Sequence, residues 1–223
     1  MRTFTQLPLL AICCGLVAGC GPDDVSFPNT PTAVALTPSE ACDGLVGFDM
    51  PQSAFSLPTS GATVESATLV AADSATGTPE YCQVLGAIAP VDPNSFPINF
   101  QVNLPTTWNF KAMHFGGGGY NGSLVSGLGN VPGASGSATP LQRNYVTFGS
   151  DSGHSRTNPA WGLNEEALEN FGGDQLKKTL DAARAIVRER YGRPIAIQYF
   201  AGGSQGGMKV FWSFSAGLNN TRA

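Results

Sequence analysis

The sequence predicts an α/β fold, a partial mixed sheet with a strand, helix, strand crossover, preceded by an antiparallel β section. Three observations carry this. The apolar, β-prone run Ile195 to Phe200 leads directly into Gly202-x-Ser204-x-Gly206. Residues Asp174 to Tyr191 place Leu176, Leu180, Ala183, Val187 and Tyr191 at the spacing of an amphipathic helix. Before residue 105, short alternating or apolar pieces are separated by Pro, Gly, Asn and Asp clusters, the pattern of strands joined by turns.

At 223 residues the chain has the size of one domain with a sizeable core. The net charge is −4 with 13% charged residues, and the 12 Lys and Arg are scattered. No basic stripe is available to neutralise a phosphate backbone, so nucleic acid is not an expected partner.

Residues 1–20 combine a charged start, Met1-Arg2-Thr3, with a short apolar run from Leu7 to Gly19, the layout of a secretory signal. Val17-Ala18-Gly19-Cys20 resembles a bacterial lipobox, in which the Cys20 thiol is lipidated and becomes the mature N-terminus. The expectation is a lipid-anchored protein of the bacterial envelope, at the outer membrane because Gly21 rather than Asp follows the cysteine. The alternative is an ordinary cleaved signal and a secreted protein, with Cys20 incidental. Of five cysteines, Cys13 and Cys14 leave with the signal and Cys20 carries lipid. Cys42 and Cys82 remain as the expected disulfide, which an oxidising compartment preserves. Neither has a Cys-x-x-Cys or histidine partner nearby, so no metal or cofactor is expected.

Residues 21–40, rich in Pro, Asp, Thr and Ser, read as a flexible tether, and residues 41–223 as the folded body. Strands are expected over Thr63 to Ala71, Tyr81 to Ala89, Ile98 to Leu104, Trp108 to Phe115 and Asn144 to Gly149. Asp174 is placed to cap the long helix, and Gly192 with Pro194 to end it. The helix charges Lys177, Lys178, Arg184, Arg188, Glu189 and Arg190 read as a solvated face. The strand at Trp108 runs into the glycines 116 to 119, where bare backbone N–H groups can be aimed at a developing negative charge. A flexible linker is the plainer reading of such a run, and residues 122 to 137 do read as exposed loop. Gly202-x-Ser204-x-Gly206 matches the nucleophile-elbow pattern, with a serine on a tight turn between strand and helix.

Taken together and in order, these pieces resemble the tannase and feruloyl esterase family of α/β-hydrolases. The matching residues are Trp108-Asn109 through Gly116 to Gly119, Asp151-x-Gly153-His154, Phe171-Gly172, Tyr191-Gly192 with Pro194, and Tyr199-Phe200-x-Gly202-Gly203-Ser204-x-Gly206-Gly207. The resemblance implies hydrolysis of small-molecule carboxylic esters, often of plant phenolic acids, through an acyl-enzyme. It implies Ser204 as nucleophile, with the N–H of Gln205 and those of Gly117 and Gly118 as the oxyanion hole. Asp151 and His154 become candidates for positioning or substrate contact, with turn capping and a structural hydrogen bond as the plainer alternatives; His114 reads as a core histidine.

Two departures stand out. Family members often carry a cysteine before the nucleophile, bonded to one beside the catalytic histidine; here that position is Gly203. The α/β-hydrolase order is Ser, then Asp or Glu, then His, yet residues 205 to 223 contain no Asp, Glu or His. The expectation is therefore the N-terminal portion of a larger hydrolase, inactive as the 223-residue chain. A non-catalytic surface lipoprotein that keeps a hydrolase scaffold is the alternative.

Overall fold

The computed structural model describes residues 36–208. The signal segment, Cys20, the tether up to residue 35 and the stretch after Met208 lie outside the described residues.

The described chain opens with helix α1 (Pro38–Asp43), started by a capping box in which Thr37 and Glu40 satisfy each other's backbone N–H groups. This helix takes in Pro38, Ser39 and Glu40, the end of the segment read as tether. Strands β1 (Asp49–Met50), β2 (Ala62–Val70), β3 (Tyr81–Ile88) and β4 (Ile98–Pro105) follow as an antiparallel run. The disulfide joins Cys42 of α1 to Cys82 of β3, with Cα atoms 5.6 Å apart and both residues fully buried.

Strand β5 (Lys111–Phe115) is shorter than the expected Trp108 to Phe115. Phe110 holds φ at 64°, a left-handed conformation that no strand accommodates. Trp108 instead turns inward, stacks on Tyr191 with ring centroids 4.6 Å apart and donates its indole N–H to the Lys111 carbonyl at 2.8 Å. Asn144, at φ 59°, likewise delays β6 (Val146–Ser150) by two residues.

Among the described residues seven strands form one sheet in the order β1-β2-β3-β4-β6-β5-β7, where β7 is Ile197–Ala201. Strand β6 pairs antiparallel with β4 and parallel with β5, and β5 pairs parallel with β7. The crossover from β6 to β7 therefore passes over β5 instead of joining neighbours. The connection from β5 to β6 runs the other way along the sheet. Right-handed crossovers in opposite directions fall on opposite faces of a sheet. One face takes α3 (Gln175–Tyr191), whose Leu180, Ala183, Ile186 and Val187 share a buried cluster with Val84, Phe100, Val102, Val146 and Phe148. The irregular segment between β5 and β6 is fixed to the sheet by polar groups: Asn103 donates to the Ser126 carbonyl at 2.8 Å and to the Thr147 hydroxyl at 2.9 Å.

Helix α3 matches its predicted apolar stripe and ends at Gly192, φ 63°. Its start differs. Asp174 has helical backbone angles and makes no side-chain cap, because the short helix α2 (Glu165–Glu169) continues through a wide turn at residues Asn170–Asp174 into α3. Lys178 is not on a solvated face: it is 3% exposed, donates to Asn170 Oδ1 at 2.9 Å and lies 3.5 Å from Glu166. A buried ammonium needs such partners to offset its lost hydration.

Candidate active site

At the end of β7 the chain turns through Gly202, Gly203 and Ser204 into helical residues 205 to 208. Ser204 is exposed and holds φ at 53°, a region that L-residues other than Asn and Asp seldom occupy. Its carbonyl accepts from Gly207 N at 3.0 Å and Met208 N at 3.2 Å, closing the first helical turn.

The flanking glycines are required by space. A Cβ on Gly202 would lie 2.4 Å from the carbonyl carbon and oxygen of Gly206. A Cβ on Gly206 would lie 2.1 Å from the Gly117 carbonyl oxygen. The elbow and the glycine loop after β5 are therefore in direct backbone contact, and Gly116 N also donates to the Ala201 carbonyl at 2.8 Å. On Gly117 a Cβ would fall 2.0 Å from Asn121 Oδ1, since that side chain folds back over the loop. Gly203 is different. A Cβ there would meet Pro132 at 3.4 and 3.5 Å, ordinary contact, so a larger residue fits where family members often carry cysteine.

Asp151, at the end of β6, is 8% exposed. Its carboxylate accepts from Asn99 N at 3.1 Å, Asn99 Nδ2 at 2.5 Å and Gly153 N at 2.9 Å. Burial pushes this carboxyl above the usual aspartate range, against the opposing pull of those donors and of His154. His154 is 3% exposed. Its ring lies 4.3 Å from Trp161 and meets Phe171 edge-on at 5.5 Å. Nε2 is 2.6 Å from the Tyr120 carbonyl, and Nδ1 is 3.3 Å from the Ser152 carbonyl. His114 is buried in β5, stacked on Phe148 at 4.5 Å and edge-on to Phe200 at 5.2 Å.

The fold thus brings Ser204 and Gln205 against the loop holding Gly117 and Gly118, and joins the Asp151 to His154 turn to the far side of that loop. Asn99, Tyr120, Asn121 and Trp161 were not singled out from sequence. Tyr120 and Asn121 could have been, as the polar end of the glycine run; Asn99 and Trp161 carry no local signal, being brought in by strand pairing and by the 159 to 163 turn.

A sheet of this order, with a positive-φ serine between strand and helix and a glycine loop packed against it, is consistent with part of an α/β-hydrolase fold. The chain belongs to the tannase and feruloyl esterase family, whose model matches residues 82–213. It is 46% identical over 177 residues to an uncharacterized esterase of Agrobacterium fabrum, covering 74% of this chain and 31% of that one. It is 36% identical over 146 residues to the mono(2-hydroxyethyl) terephthalate hydrolase of Piscinibacter sakaiensis, covering 60% and 24% respectively. The chain therefore spans about a third or less of the length of these curated relatives. Among solved structures, an esterase from Aspergillus oryzae superposes with TM-score 0.59 at 21% identity, over 79% of this chain and 35% of that one. Feruloyl esterase B from Aspergillus oryzae gives TM-score 0.59 at 18% identity, over 79% and 34%.

Proposed function

We propose that this chain supplies the nucleophile and oxyanion hole of a serine ester hydrolase acting on esters of aromatic, in particular phenolic, acids. The observation that carries the reading is Ser204 held at φ 53° between two glycines that admit no side chain, one of them against the Gly117 carbonyl. On this reading the Ser204 hydroxyl attacks the ester carbonyl carbon as its proton passes to a base. The carbonyl electron pair moves onto oxygen, where N–H groups of Gln205 and of Gly117 or Gly118 receive it. Collapse expels the alcohol, and water then cleaves the acyl-serine to release the acid.

Neither of the two histidines serves as base. His154 faces backbone carbonyls with both nitrogens, and His114 lies between Phe148 and Phe200 within the sheet. The base and its acidic partner come, on this reading, from the length of the relatives that this chain does not match. An aromatic acyl group is favoured by the family's description and by the relative named for a terephthalate ester.

In a form extended to the relatives' length, methyl ferulate should be hydrolysed, and Ser204→Ala should lower kcat by about 10⁶-fold. The 223-residue chain should give no measurable turnover of methyl ferulate, methyl gallate or p-nitrophenyl acetate. Turnover by that chain that disappears in Ser204→Ala would place a histidine of this chain in the role of base and overturn the assignment. Membrane attachment through lipid on Cys20 completes the proposal. Cys20→Ser should release the protein from the membrane fraction, and unchanged fractionation and mass would refute the anchor.

A further inference from the structure

The Asp151 to His154 turn takes no part in the chemistry above, yet it grips the glycine loop at successive residues. His154 Nε2 lies 2.6 Å from the Tyr120 carbonyl, and Asn121 Nδ2 donates to Ser152 Oγ at 2.7 Å. Gly122 N donates to the Asp151 carbonyl at 3.0 Å, and Arg156 N to the Gly122 carbonyl at 3.1 Å.

A glycine run is the most conformationally free stretch a chain can contain. An oxyanion hole works only when its donors already point at the developing charge. The loop's near end is fixed by the Gly116 to Ala201 bond at the elbow. Its far end is fixed by the turn after β6. A carbonyl cannot donate, so the 2.6 Å contact requires the proton on Nε2 of His154. The ring cannot swing away, being buried between Trp161 and Phe171.

We infer that His154 is a positioning residue: by donating from Nε2 to the Tyr120 carbonyl, it fixes the Gly117 to Gly119 backbone in the orientation that the oxyanion hole needs. The inference rests on the reading of that loop as the hole. It assigns His154 a task other than general base: Nε2 offers its hydrogen to the loop, and Nδ1 is turned towards the Ser152 carbonyl of its own turn at 3.3 Å.

The test is amide hydrogen exchange in the 223-residue chain. His154→Phe keeps an aromatic ring against Trp161 and Phe171 but has no donor, while His154→Gln carries an N–H at about the reach of Nε2. The amides of Asn121 and Gly122, bonded to the Gly118 and Asp151 carbonyls, should exchange about tenfold faster in His154→Phe, the loss of roughly one hydrogen bond, with α3 and β4 unchanged. His154→Gln should restore most of the protection. Equal exchange in the loop, or acceleration spread evenly over α3 and β4, would overturn the inference. Should His154→Phe fail to fold, long-range ¹H–¹⁵N correlation on the unaltered chain decides: a proton on Nε2 is expected, and a neutral ring protonated at Nδ1 alone would overturn it. Exchange needs no reactive serine, so failure of the hydrolase reading appears separately, as an unreactive Ser204 in a chain whose loop behaves as described.

Discussion

Adding one methyl group at each of three glycines, Gly202, Gly203 and Gly206, separates the elbow from a loop that merely contains glycine. Ordinary contact for a new Cβ begins at 3.4 Å, and Gly206→Ala would place its Cβ 2.1 Å from the Gly117 carbonyl oxygen, so the two segments must part by roughly 1.3 Å. Gly202→Ala would need a shift of roughly 1.0 Å, since its Cβ meets the Gly206 backbone at 2.4 Å. Both obstacles are backbone atoms, which cannot rotate away as a side chain can. Overpacking of this kind costs about 1 to 3 kcal/mol. Alanine at 206 recovers up to about 1 kcal/mol of helix propensity, which leaves a net loss of up to about 2 kcal/mol once the full gain is counted. At Gly203 the new methyl would meet Pro132 at 3.4 Å, and Gly203→Ala should lie within about 0.5 kcal/mol of the unaltered chain. Urea unfolding of the three variants reads the stability term, and exchange of the Gly116 amide, bonded to Ala201, reads the local displacement. Equal stability of Gly206→Ala and Gly203→Ala, with Gly116 protected in both, would refute the packed elbow.

Three further outcomes follow from the geometry. Burial raises the Asp151 carboxyl in the fold, so its contribution to stability is full below the ordinary aspartate value of about 4 and is lost as pH rises through the raised one; the stability of the native chain relative to Asp151→Asn should fall from pH 3.5 to 7 in urea titrations, and a native advantage that grows with pH would refute this. Ser204→Gly should be more stable than Ser204→Ala by about 1 kcal/mol, because glycine relieves the strain of φ 53° and alanine keeps it; the reverse order of urea midpoints would count against a strained elbow. Reducing the disulfide between Cys42 and Cys82, 40 residues apart, should cost about 4 kcal/mol in the chain-entropy limit, read as a lower urea midpoint in reductant, and an unchanged midpoint would contradict that role.

What the sequence made legible was local. The elbow could be read because Gly202, Ser204 and Gly206 sit within one turn, and the apolar stripe of α3 because a helix repeats its face every few residues. The partners of those elements could not be read, because they lie far along the chain. Strand β5 inserts between β6 and β7 through pairings such as Met113 with Thr147 and Tyr199. Lys178 looks like any helix-surface lysine until Glu166 and Asn170 of the preceding turns are folded against it. Trp108 and Phe110 have strand-forming side chains, yet the stack on Tyr191 accompanies a left-handed residue at 110. His154 was marked by its motif, but its partner Tyr120 is 34 residues away and bonds through a backbone carbonyl, which leaves no trace in side-chain identity.

The central claim is that Ser204 is the nucleophile, and the most direct measurement is peptide mass spectrometry after reaction with a fluorophosphonate probe, in a form extended to the relatives' length. The account predicts one stoichiometric adduct, on the peptide containing Ser204, and none in Ser204→Ala. An adduct on another residue, or no adduct on a protein whose unfolding is cooperative, would contradict it.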